Sequence, residues 1–348
     1  PLARCLPDMQ TASDSDIENS DQHETGYPPH ASMENELKSA GNPFKLPPKA
    51  WWNVLKRVAV KFGRDNLAVV AAGCSFFTLM ALVPLLTSVV LLYGLLADAT
   101  QAANHFELLF VIIPGDGATF LRDRMMEITQ SSEPALSLGL AVSVFIAIWS
   151  SANAMRAVLN AMNIVYDETE DRSFLSLNLR IMGFTLLAIL VLVFAQLLIS
   201  VVPVLLSLFG FGGAFEATLT ILRWPLLAFT FFAALFILYR RAPSRSLARW
   251  NWVVPGSLFA TLAWLGASAL FSLYISNFAN FDAVYGSFGA IIVLLLWLHW
   301  TYLIVLVGAE LNSELEREII CDTTTGEPAP LGERNAVVAD TVAMRPDL

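Results

Sequence analysis

The chain has 348 residues, 56% of them hydrophobic and only 15% charged, with a mean hydropathy of +0.59. Soluble domains carry roughly 25% charged residues, so an ordinary water-soluble globule is excluded. The formal net charge of −9 comes largely from one tail, where Asp8, Asp14, Asp16, Glu18, Asp21, Glu24, Glu34 and Glu36 face only Arg4 and Lys38, and it describes that solvated segment rather than the apolar body.

Residues 1–44 are rich in Asp, Glu, Ser, Pro and Gly without an apolar period and are expected to be a disordered acidic tail. No apolar segment near the start suits a signal peptide. In residues 50–64, Trp51, Leu55, Val58, Ala59 and Phe62 recur at helical spacing, with Lys56, Arg57, Lys61 and Arg64 largely on other faces. Such a pattern suits a helix lying in the membrane interface; a basic stop before a membrane span explains the charge equally well.

Six long apolar runs follow, at about 67–96, 136–158, 179–206, 221–238, 252–275 and 285–311. A helix needs about 20 apolar residues to cross the hydrocarbon core. In lipid only helices and closed barrels satisfy their own backbone, and barrel strands would be ~10-residue alternating segments. The expectation is an all-α membrane domain of six transmembrane helices over residues 45–320. The first run, about 30 residues or about 45 Å, exceeds the about 30 Å core, so it must tilt, kink at Pro84 or emerge. Residues 97–134 read as a hairpin of two short amphipathic helices around Pro114-Gly115-Asp116-Gly117, on the periplasmic side. Gly256, Ala260, Ala263 and Ala267 form a small stripe in the fifth run, and Gly286, Ser287, Gly289 and Ala290 open the sixth; such stripes serve close helix packing. Residues 321–348, with Gly326, Pro328, Pro330 and Gly332, are expected to be a second disordered tail.

Lys and Arg near the helix ends set orientation. Six precede the first run; Arg156, Arg172, Arg180, Arg240, Arg241, Arg245, Arg249 and Arg317 fall on the same side, and only Arg122, Arg124 and Arg223 on the other. Both termini are therefore expected to be cytoplasmic.

Asn153, Arg156, Asn160 and Asn163, spaced 3, 4 and 3, share one face of the second span, which Ser150 and Asp167 extend. A cation and three amides there suit an anionic headgroup; a wet surface or interhelical glue is the plainer alternative. Glu310, at the end of the sixth run, needs a cation or water, with Arg156, Arg240 and Arg241 as candidate partners, and paired helix ends would explain it without a ligand. Asn277, Asn280 and Asp282 precede Tyr285 in a short link that suits an outer gate. His299 is either a buried proton site or a packed histidine. Cys5, Cys74 and Cys321 lie too far apart for a disulfide framework or metal spacing. With no His-x-His, His-Glu-x-x-His, Cys-x-x-Cys or phosphate-loop pattern, no catalytic or metal residue and no cofactor is expected, and no basic domain suits nucleic acid.

Ala71-Ala72-Gly73-Cys74-Ser75-Phe76-Phe77 with Leu82-Val83-Pro84-Leu85-Leu86, the run Leu159 to Tyr166, Tyr239-Arg240-Arg241-Ala242-Pro243, and Gly308-Ala309-Glu310-Leu311-Asn312 together resemble the YihY/BrkB family of bacterial inner-membrane proteins. The resemblance covers about residues 50–317; the acidic link from Asp167 to Asp171 departs from the basic one expected there. It implies a six-span inner-membrane envelope protein, a virulence factor, proposed in some members to move lipid or lipopolysaccharide precursors. The family's older label as a tRNA-processing ribonuclease finds no hydrolytic metal set or basic RNA surface in these residues, and no enzyme is expected. The reading is a transporter or flippase of a lipid or amphiphilic envelope precursor, with membrane lipids as partners. Asn153, Arg156, Asn160, Asn163 and Glu310 form its polar entry, and Asn277, Asp282 and Tyr285 its outer gate. The alternative is a non-transporting scaffold with envelope-protein partners.

Overall fold

A computed structural model describes residues 42–96, 133–201, 213–278 and 286–343. Its helices are α1 (Pro48–Arg64), α2 (Leu67–Leu96), α3 (Glu133–Val165), α4 (Phe174–Gln196), α5 (Gly213–Arg241), α6 (Trp250–Phe278), α7 (Gly289–Glu316) and the short α8 (Val337–Asp340), with a π-turn at Leu197–Val201. Six of them, α2 to α7, are long and apolar enough to cross a membrane. Large side chains such as Phe145, Trp149, Leu192, Phe229 and Leu270 are more than half exposed, which an aqueous protein would bury and lipid solvates. Hydroxyls inside these helices donate to carbonyls one turn back, Thr185 to Ile181, Ser257 to Val253 and Thr261 to Ser257, at 2.7–2.9 Å. Such pairing keeps polar atoms satisfied where water is absent. The proposed periplasmic hairpin at 97–134 lies, but for its last two residues, outside the described residues, as do residues 1–41 of the N-terminal tail.

The chain divides into two compact units. One comprises, among the described residues, 72–96, 133–157, 274–278 and 286–299. There Ser88 donates to the Pro84 carbonyl at 2.7 Å and lies 3.1 Å from the Ser143 hydroxyl. Pro84 thus sits within α2 rather than ending it. Cys74 is a buried thiol.

The other unit comprises 42–71, 158–201, 213–273 and 300–343. Pro48 opens α1, since the missing amide of proline is no loss in a first turn. Ala50, Val54 and Val58, spaced four apart, turn to one side and pack on Leu46, Trp252, Leu311, Leu315 and Ile319. Leu55 and Ala59, expected on the apolar stripe, instead face outward. Helices α6 and α7 cross backbone to backbone: a Cβ on Gly256 would stand 2.0 Å from the Gly308 carbonyl oxygen. Asn312 clasps the crossing, accepting from the Gly256 amide at 2.7 Å and donating to the Val253 carbonyl at 3.1 Å.

Residues 321–343, expected to be a disordered tail, are folded. Thr325 donates to the Leu247 carbonyl and Arg249 to that of Thr323, both at 2.8 Å, around an isolated bridge between Ala248 and Thr324. Arg334 donates to the Ala339 carbonyl, and Asp340 accepts from the amides of Gly332 and Arg334. Gly326 and Gly332, at φ 123° and 92°, make turns that other residues rarely adopt. Composition misleads here because side-chain to backbone pairing, rather than an apolar period, orders the segment. Cys321 is buried in this segment.

Candidate functional site

Lys61 continues the inward stripe Ala50, Val54, Val58 and is itself only 6% exposed. An ammonium carried inward costs several kcal/mol unless paired (on the order of the penalties known for buried ions), and it is heavily paired. Its Nζ lies 2.9 Å from Asp167 Oδ2, 3.0 Å from Glu310 Oε1, 3.7 Å from Glu314 Oε1 and 3.8 Å from Asp65 Oδ2. Each partner is placed by local structure. Glu310 and Glu314 are one turn apart on α7, with Glu318 one turn further. Asp65 follows the end of α1, ahead of Asn66 at φ 50°, and Asp167 itself adopts φ 52° just past the end of α3. Asn and Asp tolerate that left-handed conformation better than most residues.

Arg57, one turn before Lys61, doubles the zipper: Nε meets Glu314 Oε2 at 2.6 Å and Nη2 meets Glu318 Oε2 at 2.7 Å. Arg317 pairs with Asp167, and its Nε lies 3.5 Å from Glu314 Oε1. Three cations thus face five carboxylates, and Glu310 Oε2 has no hydrogen-bond donor. Burial pulls the Lys61 ammonium down, but the Glu310 carboxylate and the contact with Asp167 outweigh it and hold Lys61 above its usual value. Burial pushes the Asp65 carboxyl up, against the pull of Lys61.

A second pair lies in the same unit. Arg245 Nη2 meets Glu316 Oε2 at 2.6 Å, Thr323 donates to the same oxygen at 2.7 Å, and the guanidinium stacks 5.2 Å over the Tyr166 ring. Burial lowers Arg245 and raises the Tyr166 hydroxyl, yet the Glu316 carboxylate leaves Arg245 above its usual value. With both charged side chains at 2% exposure or less, this pair holds the fold and offers nothing to a ligand.

The zipper does offer a surface. A cleft of about 350 Å³ opens along α1, lined by Lys56, Arg57, Val60, Lys61 and Arg64, and closed by Glu314, Arg317, Val342 and Ala343. Five cations and one carboxylate line it, because the other acids lie behind the zipper. Among the described residues no group of three or more His, Cys, Asp or Glu is placed to hold a metal ion.

A model of the family described as virulence factor BrkB matches residues 58–330, which takes in the charge zipper except Arg57, the Gly256–Gly308 crossing and the start of the folded C-terminal segment. The chain belongs to the BrkB family. Among BrkB-like relatives, the ribonuclease-like protein YfkH of Bacillus subtilis is 34% identical over 51% of this chain and 66% of its own. A UPF0761 membrane protein of Idiomarina loihiensis is 24% identical over 75% of this chain and 90% of its own, and one of Rhodospirillum centenum 27% identical over 75% and 57%. The chain thus spans little more than half the length of some curated relatives it matches. No solved structure matches it. It is a multi-pass BrkB-family membrane protein.

The residues of the expected polar entry fall in both units. Arg156 approaches Asn153 at 3.5 Å in one unit. In the other, Asn160 is exposed, and Asn163 is a clamp: it accepts from the Ser244 amide at 2.8 Å and donates to Glu170 at 3.0 Å. Glu310 takes Lys61 as its cation. Of the residues expected near it, Arg240 donates to the Ala248 carbonyl and stacks on Trp250. Asn277 lies in α6, while Asp282 and Tyr285 fall outside the described residues. Because Asn163 ties two links with two hydrogen bonds in a buried setting, Asn163→Ala should cost about 1–3 kcal/mol, read as a lower thermal midpoint in detergent with oligomeric state unchanged.

Proposed function

We propose that this BrkB-family protein moves an anionic amphiphile, a lipid or envelope precursor, across a bacterial inner membrane, with both termini and the charge zipper on the cytoplasmic side and no covalent chemistry of its own. The reading is carried by the basic cleft, five cations against one carboxylate, at the ends of helices whose flanks expose large apolar side chains. A cationic cleft beside a lipid-solvated surface suits a ligand with an anionic head and an apolar body. The excess of Lys and Arg at this end supports its cytoplasmic placement. A scaffold that never moves lipid is the competing reading.

Vesicles holding the purified protein and a trace of phosphatidic acid carrying a nitrobenzoxadiazole label on one acyl chain separate the two. Transfer between leaflets should run at least about tenfold faster than in protein-free vesicles, read by dithionite quenching. A rate equal to the protein-free control, with the protein correctly folded, would favour the scaffold.

A further inference from the structure

We infer that the α1 cleft is a binding site for a phosphomonoester group, with Lys56 and Arg64 as the cations that meet it and Arg317 Nε as a further donor. The inference rests on the proposed handling of an anionic amphiphile and names its headgroup chemistry. Of the cations lining the cleft, Arg57, Lys61 and Arg317 are committed to buried carboxylates. Lys56 and Arg64 are not: both are exposed on α1, and neither has an ion-pair partner among the described residues. Lys56 instead lies 5.7 Å over the Trp52 ring, one turn back. Two cations without an ion pair therefore stand at the mouth, and a phosphomonoester carries about −1.5 to −2 at neutral pH.

The inner wall contributes a second, independent feature. Arg317 Nε is buried without a hydrogen-bond acceptor, its Glu314 ion-pair partner lying 3.5 Å away. A phosphate oxygen reaching past Lys56 and Arg64 would satisfy it. Val60, Val342 and Ala343 supply apolar wall beside the charges, as a glycerol or chain attachment requires. A phosphodiester such as phosphatidylglycerol carries one charge and one fewer terminal oxygen, and matches two free cations less well.

The source of the phosphate, a membrane lipid or a soluble ester, is separated by experiment. The full chain in detergent would be examined by native mass spectrometry with equimolar phosphatidic acid, phosphatidylglycerol and phosphatidylcholine, and in a parallel arm by thermal shift with inorganic phosphate. Lys56→Gln/Arg64→Gln is the variant, since both positions are exposed and outside the zipper and its fold should persist. Wild type should retain phosphatidic acid selectively. Each cation near an anionic group contributes enough that the double variant should bind about 30-fold more weakly. Stabilisation by inorganic phosphate lost in the variant, without selective lipid retention, would keep the phosphate site and assign it to a soluble source. Equal retention of phosphatidic acid and phosphatidylglycerol, or retention unchanged in the variant, would overturn the site. The transport reading fails separately: selective binding with no leaflet transfer leaves the site and removes the transporter, whereas transfer undiminished in a variant that no longer binds keeps both and places the site off the transport route.

Discussion

Gly256→Ala is expected to lower the thermal midpoint of the detergent-solubilised protein by about 5–10 °C, the shift that about 3 kcal/mol produces in a domain of this size. A mid-helix glycine replaced by alanine normally gains up to about 1 kcal/mol of helix propensity. Here the added methyl would stand 2.0 Å from the Gly308 carbonyl oxygen and 2.6 Å from the Asn312 amide group. Neither can yield cheaply. One is backbone inside α7, and the other is held by two hydrogen bonds to α6. The helices must separate, and with them goes the Tyr239 hydroxyl bond to the Val305 carbonyl at 2.7 Å. Inside a lipid-solvated bundle, contact of this kind is a principal source of helix association, because lipid tails are as apolar as the side chains they replace.

Gly308→Ala probes the same contact from the other side, where a methyl would meet Ala260 Cβ and Tyr239 Oη at 2.7 Å. Since either change already parts the helices, the double variant should lose clearly less than the two single losses combined. Gly266→Ala on the same helix α6 is the control. Nothing lies within 4 Å of its Cβ position, so the midpoint should hold or rise slightly. Fluorescence-detected size exclusion after a heating series reads all four proteins. A Gly256→Ala protein as stable as the Gly266→Ala control would show that the crossing is looser than described.

The spans were legible because hydrocarbon imposes one requirement, length of apolar helix, that a sequence displays directly. The first run, 67–96, coincides with α2, while the sixth, 285–311, stops short of the Glu316 end of α7. That difference is physical: α7 runs on into polar surroundings, where Glu314 and Glu316 continue the helix and begin its chemistry. The small stripe at Gly256 and Ala260 likewise announced close packing, and Gly308 is what it packs on. The pairing of Lys61 with Glu310 was not legible, since they are 249 positions apart and nothing local links them. A signal was present nonetheless: Lys61 falls on the inward Ala50, Val54, Val58 stripe, and a cation on an apolar stripe requires an acid opposite. Grouping Lys61 with the cations on the helix's polar faces concealed it. For the Asn and Arg face of the second span, helical spacing says which side chains align and not what meets them; Asn163 of that face meets Ser244 and Glu170.

Lys61→Met should be the most damaging change at the charge zipper, costing about 3–5 kcal/mol, the range for stripping one partner from a buried ion pair. Methionine fills nearly the same volume, so packing is not the issue. The loss is the single ammonium that faces Asp65, Asp167, Glu310 and Glu314 within 4 Å, in a setting where the Glu310 side chain is 0% exposed. Arg57 and Arg317 stay, but they are already shared among Glu314, Glu318 and Asp167. The converse change should be mild: Glu310→Gln leaves Lys61 with three carboxylates and removes one excess negative charge. Lys61→Met/Glu310→Gln should therefore recover part of the single loss, a coupling that independent sites would not show. The pH dependence follows from the raised Lys61 value. The folded chain holds that proton more tightly than the unfolded chain, so the stabilisation is fully present below the unfolded value of about 10.5 and is lost as pH rises through the higher folded one. The gap between wild type and Lys61→Met should stay constant from neutral pH to about 9 and close only in stronger alkali. A loss under about 1 kcal/mol, the ordinary worth of an exposed ion pair, would mean that water reaches these charges and that the zipper does not hold α1 to α7.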